Sequence, residues 1–450
     1  MVTFSRRHFI QAGVGLGAAA MLTPGFSALI TGSNKMLNAG VGRASVVLTG
    51  LYPLDDFVGE HDSLETRVLL LQQAGQRQAI VVVDLTSLTQ DVIARMKSIL
   101  AEVCGVAAAN ATINASHSFS TPHIFTESSQ AVRTPAVLTA FEQALRTAAT
   151  QALRSLQPVQ LGIGNGLSRM GVNRNINTPA GWWLGADDAG YTDPHVGLIR
   201  LTAQDGHPLA ILINYAVQPA VMDASQTAAG GRLMSADLAG ATCRYVEGHY
   251  GSGTVAFYLV GCAGDQVPYL QASRHVVNKD GSASRIDMHE KGFTLLDLFG
   301  QRLGEEVIRI AESVSPEPGG IFRLARQQIT VKAQIFSPRN APTGPVKAFD
   351  YQVSGVSTLP VVVMQWGDSA LVGVQPELSA CLGAHIRAAS PFAQTFVMTM
   401  VDGAAKYLPD SSSYDRFTYE ARSSPFAPGA GEVAAQAIIN QLKHMRALPA

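Results

Sequence analysis

A strand, a helix and a second strand follow one another between residues 79 and 116, and this unit constrains the fold more than any other stretch. The apolar runs AIVVVDL (79–85) and ATINAS (111–116) each have the length and composition of a buried strand. Between them, apolar residues recur at helical spacing at Val92, Met96, Ile99 and Leu100. Parallel strands need such a crossover connection, so we predict an α/β fold. Asp84 and His117 then fall at carboxyl ends of strands, where open α/β sheets bind ligands.

Further strand-like runs end in polar residues in the same way. A hairpin predicted to turn at Asp205 and Gly206 leads to Gln218, and later strands lead to Asp265, Glu377 and Tyr407. Sites are often assembled from such loops on a rigid sheet, although polar loops follow strands in any globular protein. We therefore predict an α/β protein with a mixed β-sheet core, flanking helices and a single large domain over residues 38–445.

Composition excludes some classes of function. The chain has 450 residues, of which 47% are hydrophobic, which is enough for one large core or two moderate ones. It carries 33 basic and 34 acidic side chains and no long basic run, so nucleic acid is not an expected partner. The four cysteines form no CxxC pair, which argues against a disulfide framework and against a thiolate zinc cluster. One disulfide remains open.

The first 28 residues have the pattern of an export signal. Ser5 precedes the pair Arg6 and Arg7, a glycine-rich apolar run follows, and small residues near Ala28 would suit cleavage. This pattern matches a twin-arginine signal, and the alternative is a buried N-terminal helix. Glycine, threonine and proline interrupt the run before it reaches the roughly 20 apolar residues that span a bilayer. We expect export by the twin-arginine machinery, a periplasmic or secreted mature protein, and no integral membrane segment in it.

Nine short segments occur in a characteristic order along the chain. They are GVGRASVVLTG, HDSLETRVLLL, ASHSFSTP, SRMGVNRN, NYAVQPAVM, MSADLAGATCRYVE, CAGDQVP, QPELS and YLPDSSSYDRFTYEARSSPFAPGAGE. In this order they resemble the N-terminal catalytic domain of the neutral ceramidase family, over nearly the whole mature chain. The resemblance implies a zinc-dependent amidase that cleaves the N-acyl bond of ceramide. The immunoglobulin-like C-terminal domain of the full-length enzymes has no counterpart here, and we expect none.

The resemblance also implies a set of metal ligands. The family's zinc ligands fall on His117, Gln218, Glu377 and Tyr407, and Gln218 stands where the family has a histidine. A carboxamide oxygen is a poorer zinc donor than an imidazole, so Zn²⁺ binding is expected to be weakened. His123 is the nearby imidazole that would compensate, unless it is a surface histidine.

Two other departures fall on positions that carry chemistry in the family. Phe119 replaces the second histidine of the first loop, and Val267 replaces a serine implicated in catalysis. Arg174 matches a substrate-contacting arginine, and with Asp265 and Tyr407 it completes the candidate catalytic set.

The residues considered alone leave alternatives open for these positions. Asp265 and Asp237 are also typical of carboxylates that brace loops or cap helices. Glu377 follows a proline and fits the first turn of a helix equally well. Tyr407 is a structural tyrosine unless the fold brings it beside His117 and Glu377.

Two functions follow. The first is an exported, metal-dependent amidohydrolase that cleaves an N-acyl amide, ceramide-like or another lipid amide, with a metal-activated water. The second is a catalytically degenerate relative that binds a lipid, a small ligand or a partner protein without turnover. A serine hydrolase is disfavoured, because the sequence has no GxSxG motif.

Overall fold

The structure is a computed structural model, and it describes residues 36–124, 134–337 and 341–449. Its strands are β1 (Asn38–Ser45), β2 (Phe57–Glu60), β3 (Glu65–Gln73), β4 (Gln76–Val83), β5 (Ala111–Ala115), β6 (Gln157–Leu167), β7 (Gly171–Thr178), β8 (Gly181–Asp187), β9 (His195–Ala203), β10 (Pro208–Tyr215), β11 (Arg232–Met234), β12 (Val255–Val260), β13 (Gln266–Pro268), β14 (Ser273–Val277), β15 (Ala283–Asp287), β16 (Glu317–Pro318), β17 (Phe322–Gln334), β18 (Val353–Trp366), β19 (Ser369–Val374), β20 (Glu377–Leu378), β21 (Gln394–Met398) and β22 (Tyr407–Leu408). Its α-helices are α1 (Gln90–Cys104), α2 (Thr134–Arg154), α3 (Asp237–Tyr250), α4 (Gly292–Ser313), α5 (Ala380–Ala389), α6 (Ser411–Asp415), α7 (Tyr419–Arg422) and α8 (Ala430–Ala447).

The predicted strand–helix–strand unit is present as β4, α1 and β5, and β4 pairs with β5 in parallel. The buried side of α1 carries Val92, Met96, Ile99 and Leu100, as the periodicity predicts. The predicted hairpin is β9 and β10, and the turn between them includes Asp205 and Gly206. The fold class is therefore confirmed: the protein is α/β, with mixed sheets and flanking helices in one domain.

Two large sheets form the centre of the domain. One has the strand order β12-β10-β9-β6-β1-β3-β4-β5, with β16 added beside β6. Within it, the β4–β5 and β10–β12 pairs are parallel and the other pairs are antiparallel. The other large sheet has the order β17-β18-β19-β21, and only its β19–β21 pair is parallel. A mixed sheet of this kind accommodates both hairpins and helical crossovers.

Alternation along the strands shows how the layers stack. In β3, Val68 and Leu70 belong to a core shared with α1 to α4, whereas the intervening Leu69 packs in a second core. In β18, Val362 joins that second core, whereas Val363 joins a third core shared with α5 and α8. Successive strand residues point to opposite faces, so the two sheets pack against each other and each is covered on its other face by helices.

Two small sheets contain candidate site residues, among them Arg174, Glu377 and Tyr407. β7 pairs with β8 and β13, and the two-residue strands β20 and β22 pair in parallel.

In the part of the chain that the structure describes, no helix is long and apolar enough to cross a membrane. The proposed signal at residues 1–28 lies outside the described residues, and the boundaries 38–445 stay a prediction.

Candidate functional site

His117 lies two residues beyond the end of β5, in a backbone conformation that is unusual for a residue with a side chain. Its φ is +65°, in the left-handed region that non-glycine residues rarely occupy. Nδ1 of the ring lies 2.7 Å from the carbonyl oxygen of Thr86, which follows β4. The carbonyl can only accept, so Nδ1 carries the proton and Nε2 points the other way. Such strained positions cluster at functional sites, because the surroundings must enforce them.

Nε2 of His117 faces the carboxylate of Glu377 inside the protein. The distance from Nε2 to Oε2 of Glu377 is 3.1 Å, and the two side chains are 3% and 8% exposed. Although Nε2 is buried, it has no hydrogen-bond partner of acceptable geometry among the described residues. A neutral imidazole and a carboxylate would place two acceptors face to face here, so a proton or a metal cation between them is needed to make the contact favourable.

Gln218 follows β10 and connects Glu377 to Arg174. Its Nε2 donates to Oε2 of Glu377 over 2.5 Å, and its Oε1 accepts a hydrogen bond of 3.0 Å from Nη1 of Arg174. The residue is 1% exposed. Both ends of its amide are therefore committed to neighbouring side chains.

Arg174, on β7, is held on several sides. Its Nε donates to Oε1 of Glu420 over 2.6 Å, and its guanidinium lies 5.1 Å from the ring centre of Tyr407 and 5.7 Å from that of Tyr419. A guanidinium over aromatic rings is attracted by their π-electrons. Hydrogen bonds and the ion pair thus form one continuous network through Glu420, Arg174, Gln218, Glu377, His117 and Thr86.

Tyr407 is placed beside Glu377 by backbone pairing. The two residues are direct partners in the parallel β20–β22 pair, so their side chains project from the same face. Burial, and then the negative charge of Glu377, raise the pKa of Tyr407 well above its usual value, against the opposing effect of Arg174. Tyr407 therefore keeps its proton at neutral pH.

Neighbouring groups also determine the protonation state of His117. Burial by itself lowers the pKa of the imidazole, but the carboxylate of Glu377 and the hydrogen bond to Thr86 outweigh burial, and the net shift is upward. This direction means that, without a metal, the ring takes up a proton more readily than an exposed histidine does.

Asp265 has contacts of a different kind. Its Oδ1 accepts from the backbone N–H of Ala380, the first residue of α5, over 2.8 Å, and its Oδ2 accepts from Nδ2 of Asn173 over 3.1 Å. Burial raises its pKa to about 6. These bonds brace the loop after β12, which is the alternative that the sequence left open. Asp265 therefore contributes by holding Asn173, the neighbour of Arg174 on β7.

Asp237 and Asp84 likewise hold backbone. Asp237 accepts from the N–H groups of Val221, Met222 and Leu238 over 2.7–2.9 Å. Asp84 accepts from the N–H of Glu65 and pairs with buried Arg67. Asp237 therefore fixes the loop that follows Gln218, and neither carboxylate takes part in the network around Glu377.

The three other positions noted in the sequence differ in their relation to the site. The ring of Phe119 meets that of His117 edge to face, with 4.8 Å between the centres. Val267 is buried in β13, next to Gln266, whose carbonyl accepts from the backbone N–H of Gln218. His123 is exposed, and among the described residues it forms no metal-binding group with other His, Cys, Asp or Glu side chains, so it does not compensate for Gln218.

The donor atoms fit a metal ion in part. His117 presents a bare buried Nε2, its Nδ1 is anchored to a carbonyl as is usual for ligating histidines, and Oε2 of Glu377 faces it. A cation with bonds of roughly 2 Å to each atom fits between them. Gln218 does not fit in its present orientation, since it turns N–H towards Glu377. Among the described residues, no group of three His, Cys, Asp or Glu side chains could hold a metal.

Three residues of the site, Thr86, Tyr419 and Glu420, were not predicted from the sequence. Thr86 lies just after β4, which pairs with β5, the strand that precedes His117. Its place after a strand could have indicated that it lies near the site. Glu420 and Tyr419 lie in the segment YEAR, within a stretch that carries the resemblance. Their spacing from the other site residues gives no signal, because α7 is brought to Arg174 by tertiary packing.

Comparison with known proteins shows what the fold resembles. No sequence-family model and no curated protein sequence matches the chain. Among solved structures, a ceramidase complexed with C2 superposes with a TM-score of 0.70 and 18% identity, over 92% of this chain and 76% of that one. A neutral ceramidase from Pseudomonas aeruginosa gives a TM-score of 0.70 and 18% identity, over 93% and 76%. At this identity the likeness establishes the fold alone, which is that of neutral ceramidases.

Proposed function

We propose that this protein is a hydrolase of N-acyl amides, ceramide-like or of another lipid amide class. The observation that carries the proposal is the buried contact of His117 Nε2 with Glu377 Oε2 over 3.1 Å, at the strand ends of a fold shared with neutral ceramidases. A bare imidazole nitrogen and a carboxylate held this close form a centre that can bind a metal or hold a proton. Either capacity serves hydrolysis.

Zinc is the metal we propose for this centre. His117, Glu377 and Tyr407 would hold it, which is the number of protein ligands usual for catalytic zinc. When bound, the ion supplies Lewis-acid polarisation of a carbonyl and an activated water. Gln218 would stay outside the set of ligands, because its amide is engaged by Arg174 and Glu377.

The remaining residues of the network would hold the groups at the centre in position. Arg174 fixes Gln218, and Gln218 in turn fixes the oxygen of Glu377 that faces His117. When no metal is bound, Tyr407 stays protonated at neutral pH and its hydroxyl can donate a hydrogen bond; as a ligand of the metal it would bind through its oxygen and give up that proton. Asp265 would keep β7 and its arginine in place through Asn173.

A second function, ligand binding without turnover, is favoured by the closure of the network. Arg174 and Glu377 satisfy each other through Gln218, and the five side chains Arg174, Gln218, Glu377, His117 and Tyr407 are at most 8% exposed. A site that is balanced without a metal would remain folded after activity is lost. In that case the protein would bind a lipid, a small ligand or a partner protein.

We further propose that the protein works outside the cytoplasmic membrane. The support is the pattern of Ser5, Arg6, Arg7 and the apolar run that follows. The twin-arginine machinery exports folded proteins, so a metal could be loaded before export.

The test combines metal analysis with an activity assay on purified mature protein. Stoichiometric zinc and hydrolysis of a fluorogenic N-acyl amide are expected, and Glu377→Gln should abolish both. Glu102→Gln serves as the control, because Glu102 is exposed and pairs only with Arg146 at the surface among the described residues. Zinc binding without hydrolysis would favour the ligand-binding function. Absence of both, in protein that is folded by circular dichroism, would contradict the hydrolase proposal.

A further inference from the structure

A groove lies between β6, the loop after β13 and α4, apart from the candidate site. We name it the Leu298 groove and define it by Leu167, Arg169, Tyr269, Leu270, Leu298 and Arg302. Its volume is about 550 Å³, within the range of small-molecule sites. None of His117, Gln218 and Glu377 lines it.

The walls of this groove are apolar and open to solvent. Leu167 is 67% exposed, Leu298 is 58% exposed and Leu270 is 48% exposed. Beneath them, Met170 and Phe299 are buried and form an apolar floor. Single exposed leucines are common on proteins, but several around one concavity mark a surface that an apolar ligand covers.

The rim of the groove carries positive charge. Arg302 has a side chain that is 77% exposed, and its nearest carboxylate, that of Glu305, is 3.9 Å away. Arg169 is exposed, and within the described ranges no carboxylate lies within 4 Å of it. Glu306, the acidic residue of the lining, is bound by Arg309 and by the backbone N–H of Leu167. Its charge is thereby compensated, so the exposed Arg169 and Arg302, the latter with only a long surface contact to Glu305, give the rim its positive charge.

We propose that the Leu298 groove binds one long-chain amphiphile with an anionic head group, of the fatty-acid class. The alkyl chain would cover Leu167, Leu270 and Leu298, and the carboxylate would meet Arg302 and Arg169. Burial of an alkyl chain against leucines provides affinity in proportion to the apolar area covered. The arginines provide the preference for a carboxylate. The proposal goes beyond the hydrolase function, since binding here requires no turnover.

Titration of the protein with 11-(dansylamino)undecanoate below its critical micelle concentration tests this proposal. We expect saturable binding with one site, and binding about tenfold weaker in Leu298→Asp, which puts a carboxylate in the path of the chain. Val433→Asp is the matched control, because Val433 is 53% exposed on α8, outside the groove. Arg302→Gln should weaken binding of 11-(dansylamino)undecanoate several-fold. It should leave binding of the uncharged primary amide of this probe unchanged. Arg95→Gln is the matched control for the charge, because Arg95 is also exposed and pairs with Glu142 on a helix. It should change the affinity for neither probe.

Three outcomes would overturn the proposal. The first is no binding of the probe to the native protein. The second is equal affinity of Leu298→Asp and Val433→Asp. The third is binding only to vesicles of phosphatidylcholine and phosphatidylglycerol, lost in Leu298→Asp, which would make the groove a membrane-contact surface. Circular dichroism of each variant shows that it is folded, so a loss of binding can be assigned to the groove.

Discussion

Gln218 donates its side-chain amide to Glu377, and only 2.5 Å separates Nε2 of Gln218 from Oε2 of Glu377. Arg174, on the other side, donates to the amide oxygen. The two neighbours fix the orientation of the amide, because turning it over would place N–H groups against the guanidinium and the oxygen against the carboxylate. A metal that recruited the oxygen of Gln218 would have to break both bonds. In the proposed centre Gln218 would therefore be a hydrogen-bonded bridge beside the metal donors and not one of them.

Arg174→Lys should weaken the network although the charge is kept. Arg174 binds Glu420 through Nε and Gln218 through Nη1, and a single ammonium group cannot reproduce that geometry. Arg174→Ala should be worse, because it leaves Glu420, 2% exposed, without its partner, and loss of a buried ion-pair partner costs about 3–5 kcal/mol. The urea midpoint should fall in both variants and fall further in Arg174→Ala.

A double replacement separates the ion pair from simple loss of packing. In Arg174→Ala with Glu420→Ala the carboxylate that Arg174 pairs with is removed as well, so the loss should be smaller than the sum of the single losses. Arg302→Ala, at an exposed position, should leave the midpoint unchanged. Additive losses would show that the two side chains contribute independently.

Stability should fall on acidification between about pH 6.5 and pH 4, partly because of His195. Burial, and then the positive charge of Arg387, lower the pKa of His195 from 6.5 to about 4. The folded state therefore binds this proton less tightly than the unfolded state does. The stabilisation is fully present above pH 6.5 and is lost as the pH falls through 4. His275 is shifted in the same direction and to a similar value.

Urea midpoints measured across this pH range check the assignment. His195→Gln cannot be protonated, so its midpoint should depend less on pH than that of the native protein. His249→Gln, on the exposed side of α3, should keep the native dependence. An identical slope in His195→Gln and the native protein would mean that other groups cause the acid instability.

The sequence predicted the elements better than the contacts. Periodicity predicted α1, and each of His117, Gln218, Glu377 and Tyr407 was predicted to follow a strand, because these signals depend on neighbouring residues. That the four lie together was implied only by the resemblance. The network of contacts that joins these residues depends instead on residues that are far apart in the sequence. Glu420 lies 246 positions from Arg174, and their hydrogen bond results from the packing of α7 beside β7. Asp265 is similar: an aspartate after a glycine suits both a turn and a catalytic acid, and only its bonds to Ala380 and Asn173 distinguish the two.

Export can be tested independently of the site. Arg6→Lys with Arg7→Lys keeps the positive charge but removes both guanidinium groups, which the twin-arginine pathway reads. The altered protein should remain in the cytoplasm, as measured by cell fractionation and immunoblotting. Arg43→Lys with Arg77→Lys, outside the first 28 residues, is the control and should be exported normally. Periplasmic recovery of the Arg6 and Arg7 variant would contradict the prediction.

Gln218→His should raise zinc affinity, because an imidazole would replace an amide that turns N–H towards Glu377. Competition with a chromophoric chelator measures the affinity. Gln441→His is the control, since Gln441 is buried on α8 and contributes nothing to the network. Equal zinc affinity in Gln218→His and the native protein would show that position 218 is not a ligand position, and would favour binding without turnover.

Activity should rise less than zinc affinity in Gln218→His, because Val267 provides no hydroxyl at the position where the resemblance implies a serine. One lost polar contact to a transition state costs about 2.7–4 kcal/mol in comparable sites. Val267 is buried in β13, which pairs with β7 three residues or fewer from Arg174, so a serine there would place its hydroxyl near the network. Gln218→His with Val267→Ser should therefore hydrolyse a fluorogenic N-acyl amide faster than either single variant. If the double variant binds zinc tightly but is no faster than Gln218→His, position 267 does not contribute to the reaction, and the loss of the serine is not what limits this site.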